Sequence, residues 1–79
     1  MLSNIKYFGI LVSQNKAIEL SMAELNNFNP DLLAIYRVDF DVNDMPYEDV
    51  VIYLPVYYNN PKSLIKKSGI TLYSGTSSL

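Results

Sequence analysis

The sequence predicts a small α+β domain, and three observations carry the prediction. Residues 36–43 alternate strictly: Tyr36, Val38, Phe40 and Val42 are apolar, and Arg37, Asp39, Asp41 and Asn43 are polar. Period-two alternation suits a strand with one face on a core and one in water. After a turn-rich break, Asp44 to Asp49, comes a nearly continuous apolar run from Val50 to Tyr58, and the two runs read as a β-hairpin. On either side of this hairpin lie stretches with helical start and stop signals.

Taken in order, Ile5 to Val12 is an apolar run with β-branched and aromatic members and reads as the first strand. From Gln14 to Phe28 a helix gathers Ala17, Ile18, Leu20, Met22, Leu25 and Phe28 within an arc of roughly 200° at 100° per residue. Ser13 is a natural N-cap, and Asn29-Pro30 a natural stop. A competing start lies at Ser21, where Ser21 and Glu24 make a capping box with Leu20 and Leu25 as its staple. That version turns Ala17–Leu20 into a short strand after a Gln14-Asn15-Lys16 turn. The longer helix absorbs more residues into one pattern and is the first expectation. After the hairpin, Asn60 caps and Pro61 opens a second helix, Lys66 and Lys67 occupy its last turn, and Gly69 follows its end. Ile70 to Tyr73 reads as the last strand.

The order β-α-β-β-α-β is the split βαβ arrangement. The expected fold is therefore a ferredoxin-like βαββαβ sandwich: a four-stranded sheet with two helices on one face, the first and third strands central and parallel. The alternative is ββαββ with a shorter first helix. Pro55 sits awkwardly in a central strand, because proline donates nothing to a ladder. Residues 1–73 make a single domain, and 74–79 a flexible tail.

Seventy-nine residues bury a small core with a thin stability margin. The chain contains no cysteine, so neither disulfide nor thiolate metal site supplements that core. Dimerisation is the remaining device. No segment approaches the roughly 20 apolar residues of a membrane span, Tyr7 to Val12 is too short for a signal sequence, and a cytoplasmic location is the expectation. Residues 19–49 hold all eight acids and a single base, Arg37, whereas both flanking stretches are basic. That distribution reads either as a solvated face or as an acidic patch, Asp39, Asp41, Asp44, Glu48 and Asp49, that docks on a basic protein.

Histidine and tryptophan are absent too. The commonest general base, the commonest metal ligand and the best intrinsic nucleophile are all missing. The three glycines form no phosphate-binding spacing. Asp39, Asp41 and Asn43 begin like a calcium loop, but Asp44 stands where that loop needs glycine and Val50 where it needs glutamate. On one strand face Asp39 and Asp41 would lie about 7 Å apart. As an edge-strand face they discourage edge-to-edge pairing; the alternative is a cation-dependent catalytic pair. Ser68 beside Lys66 and Lys67 is an ordinary helix-end arrangement.

The seven tyrosines are more informative. In the hairpin register, Asp41 faces Val51 and Asp39 faces Tyr53, which puts Val51, Tyr53 and Tyr57 on the helix-free sheet face. Such a face suits self-association into a homodimer or, as the alternative, stacking of single-stranded nucleic-acid bases. The neighbouring acids repel phosphate and weigh against nucleic acid. The expectation is a non-catalytic protein-binding or regulatory module without metal or cofactor, self-associating through its open sheet face. The Asn-, Ile-, Lys- and Tyr-rich composition suits an AT-rich genome, and an inhibitor encoded by a virus or plasmid fits it.

Overall fold

The computed structural model describes residues 4–27, 29–60 and 68–75. Its elements are β1 (Ile5–Leu11), β2 (Lys16–Leu20), α1 (Met22–Leu25), β3 (Leu32–Asp39), α2 (Tyr47–Asn59) and β4 (Ile70–Gly75). The protein is α+β, with a four-stranded sheet in the order β2-β1-β3-β4 and every neighbouring pair antiparallel.

The chain between Gln14 and Phe28 takes the hairpin route, not the long helix. Leu11 pairs with Lys16 across a four-residue turn. Asn15 sits at φ 49°, the left-handed conformation that asparagine tolerates, and its N–H donates to the Leu11 carbonyl at 2.9 Å. Ser13 caps no helix; its hydroxyl donates to the Asp31 carboxylate at 2.8 Å. The capping box at Ser21 forms in full: the Glu24 N–H donates to Ser21 Oγ, and the Ser21 N–H to Glu24 Oε1 at 2.7 Å. The helical pattern misled because β2 is buried on both sides. Ala17 lies under α2, Leu20 lies over Gly9 on the opposite face, and their spacing of three imitates a helix.

The larger correction concerns Val50 to Tyr58, which is helix and not strand. Pro46 occupies the N-cap position with φ −69°, and Glu48 and Asp49 fill the first turn, where acids suit the helix dipole. Val50 and Leu54, one turn apart, are fully buried. With Phe8, Ile10, Ala17, Ala34, Tyr36 and Val38 they form the core between α2 and one sheet face. Phe40 and Tyr47 stack at 6.2 Å, and Phe8 meets Tyr47 at 5.3 Å, closing the core where the chain enters α2. A continuous apolar run has no period of its own, so burial at i and i+4 against the sheet decides for helix. Pro55 lies inside α2 and supplies no N–H to it.

The expected βαββαβ order therefore gives way to β-β-α-β-α-β. The first strand is central, as expected, but its neighbour β3 is antiparallel to it. β3 is central too, so Asp39 is not on an edge. The expected strand across 36–43 ends at Asp39, and Asp41 falls in the following turn. β4 forms as expected and extends through Ser74 and Gly75, which pair with Ile35 and Ala34 rather than fraying. The second expected helix, at 61–67, lies outside the described residues, as do 76–79; Asn60, its expected cap, ends α2 instead.

Opposite α2, the sheet approaches Leu20 and Leu32 so closely that a Cβ at Gly9 would come within 2.9 Å and 2.5 Å of their methyl groups. Tyr7 and Tyr73 meet on this face edge-on at 4.8 Å, beside Arg37, which pairs with Tyr7 in register. Among the described residues no helix is long and apolar enough to cross a membrane.

Candidate functional site

α2 is apolar nearly all round, and the sheet can cover only one side of it. At 100° per residue, Ile52 and Val56 lie on the side away from Val50 and Leu54. Ile52 is 69% exposed and Val56 49%. With Met45, Asp49 and Tyr53 they line a shallow, open apolar groove. Met45 is held there by Asn43, whose side-chain oxygen accepts from the Met45 N–H at 2.8 Å. Asn43 is buried, and its amide is satisfied there by donating to the Asp39 carbonyl at 2.9 Å. The turn leaving β3 thus fixes one end of the groove.

The expected face of Val51, Tyr53 and Tyr57 is not a sheet face. All three sit on α2, partly buried against the core, with Val51 and Tyr53 about 200° apart around the helix. What the structure does assemble is a tyrosine cluster. Tyr53 and Tyr57 stack at 5.5 Å with rings 10° from parallel, and Tyr57 meets Tyr36 at 6.1 Å. Burial pushes the Tyr36 hydroxyl up to about 12, and the neighbouring Tyr57, Tyr58 and Tyr53 add to the rise. Tyr53 is raised by burial and by Tyr57. Tyr47 is raised because its hydroxyl donates to Glu19 at 2.9 Å. Tyr36, Tyr47 and Tyr53 are therefore protonated at neutral pH; Tyr36 is buried, and Tyr47 and Tyr53 present neutral, amphipathic surface rather than a base.

The acidic residues divide into two groups. Asp39 Oδ1 accepts from the Asp41 N–H at 3.0 Å, and Asp41 Oδ2 from the Asn4 N–H at 3.1 Å, so this pair holds the turn together. Asp44, Glu48 and Asp49 are exposed, the last two in the first turn of α2. Among the described residues no three His, Cys, Asp or Glu side chains are grouped to hold a metal ion.

Sequence reasoning missed the Ile52–Val56 ridge, although Pro46-Tyr47-Glu48-Asp49 is a helix start that would have pointed to it. It also missed Tyr7 and Tyr73, which only the strand order brings together. No family model, curated protein or solved structure matches the chain.

Proposed function

We propose that this chain is a small non-catalytic protein-binding or regulatory module whose contact surface is the outward face of α2. The observation that carries the reading is the exposure of Ile52 and Val56 beside Tyr53 and Met45. Adjacent exposed apolar side chains with an aromatic neighbour, flanked by acids, have the composition of an interface centre and rim. Benzoylphenylalanine placed at position 56 tests this by photocrosslinking in the source cells. The expected result is protein adducts at position 56 that Ile52→Asp abolishes, with none from the same probe at Gln14 in the β1–β2 turn. Adducts no more abundant at 56 than at 14 overturn the reading.

A second reading rests on the opposite sheet face. There Tyr7, Tyr73 and Arg37 offer two rings and a guanidinium, the chemistry that stacks unpaired bases. It moves the nucleic-acid alternative from Tyr53 and Tyr57 to residues that do share a sheet face, while the chain's acidic balance keeps it second. Anisotropy of a labelled oligonucleotide at low salt tests it. Binding lost in Tyr73→Ala and kept in Tyr53→Ala supports it; no salt-sensitive binding removes it.

A further inference from the structure

Resting on the α2 reading, we infer that the partner of this ridge is a second copy of the chain, docked antiparallel across a two-fold axis. The order of chemistry along the helix supports a second copy. From one end to the other the outward side presents Asp49, then Ile52 and Val56, then Asn60, with Glu48 and Asn59 along one flank, where the Asn59 amide donates to the Pro55 carbonyl at 2.9 Å and to Asn15 Oδ1 at 3.5 Å. A two-fold axis at the level of Leu54 lays Ile52 on the mate's Val56 at both ends of the contact. The same operation keeps each flank of the ridge on the same side. Glu48 then falls beside the mate's Asn59, and Asp49 beside the mate's Asn60. Each acid then lies beside an uncharged residue, and none beside another acid. A parallel pairing would instead set Glu48 and Asp49 against their own copies, and like charges at close range repel. Antiparallel helices also oppose their dipoles head to tail. A foreign partner would have to match this order from outside, whereas the chain already matches itself, as an isologous contact requires.

Area sets the strength of the contact. A 13-residue helix is about 20 Å long, and one helix lying along it covers roughly half of the ~800 Å² per partner typical of stable complexes. The dimer is therefore reversible and concentration-dependent.

The absence of cysteine makes the test clean. Sedimentation equilibrium from about 10 µM to about 1 mM should show mass rising from monomer towards dimer. Ile52→Asp should stay monomeric across that range with an unchanged far-UV spectrum. Ile52→Cys and Val56→Cys proteins, mixed in equal amounts and oxidised, should give more heterodimer than the statistical one-to-two-to-one mixture. A constant monomer mass overturns the second copy; adducts to a foreign protein at position 56 then leave the binding-module reading standing, and no adducts there removes both. A dimer that persists in Ile52→Asp, or that crosslinks without preference for the 52–56 pair, overturns the antiparallel contact.

Discussion

Replacing Leu54 and Ile52 by alanine, one at a time, tests the central structural finding. In a strand these residues, two apart, would share a face and cost alike. In α2 they point about 200° apart: Leu54 is fully buried and Ile52 is 69% exposed. A buried Leu→Ala change costs about 2–5 kcal/mol, counting the lost transfer energy and the cavity. At about 0.05–0.15 kcal/mol per residue, 79 residues give a total stability of about 4–12 kcal/mol, so Leu54→Ala removes a large share of it. Ile52→Ala loses about a third of one side chain's burial, roughly 0.5–1 kcal/mol, and regains several tenths from alanine's helix propensity. Its net effect should lie within about 0.5 kcal/mol of zero. Urea unfolding followed by circular dichroism at low micromolar protein, below the range of self-association, measures both. With a slope of about 1 kcal/mol/M, Leu54→Ala should move the midpoint by about 2 M or more, or abolish folding, while Ile52→Ala leaves it nearly still. Equal losses in the two variants would refute the helix and restore the hairpin.

Three further outcomes follow from local geometry. Gly69→Ala should destabilise by about 2–4 kcal/mol, since φ is +83° and the new Cβ would lie 2.8 Å from the Asp39 carbonyl oxygen; Gly9→Ala, which meets only movable leucine methyls, should cost less in the same urea titration. Ser21→Ala should cost about 0.5–1 kcal/mol by removing the cap of α1, and the Glu24 carboxyl, held low by the Ser21 N–H first and the hydroxyl second, should rise only part of the way by NMR titration, because the N–H remains. Tyr36 is raised from 10 to about 12, so the folded state holds its proton more tightly than the unfolded chain. Its contribution is complete below pH 10 and is lost as pH rises towards 12, so alkaline unfolding should begin in that window and shift upward in pH in Tyr36→Phe.

Legibility of the fold tracked how local its causes are. β1, β4 and the Ser21–Glu24 box were readable because each rests on a few adjacent residues: an apolar β-branched run, a glycine followed by one, and two side chains bonding each other's backbone. β2 was harder. Ala17 and Leu20 are buried on opposite faces, which erases alternation and leaves a helical spacing in its place. α2 was hardest, because Val50 to Tyr58 combines β-branched and aromatic residues with an internal proline and is apolar on every side. Only the sheet, built from residues far away in sequence, selects Val50 and Leu54 as the inner face. The site inherits that difficulty. Tyr53 and Tyr57 stand out by residue type, but their partner Tyr36 and the exposed Ile52 and Val56 follow from which way α2 rolls. Asp39 and Asp41 were readable as a pair, and their role in holding a turn was not, since Asp41's partner is Asn4.

The same roll of α2 bears on function. The fold accounts for Val50 and Leu54, which fill the core, and for Tyr47, which joins Phe8 and Phe40 at the helix entrance. It does not account for Ile52 and Val56. Both are β-branched, which lowers helix propensity relative to alanine, and both give much of their surface to water. A lysine or glutamate at either position would serve the isolated helix at least as well. Isolated exposed apolar residues need no explanation, but these two are one turn apart, beside the partly buried Met45 and Tyr53. A side chain that the fold does not use, placed where a neighbouring molecule can use it, is what a contact surface consists of. On the proposed function, the contact face therefore lies on α2, where no alternation pattern could have pointed.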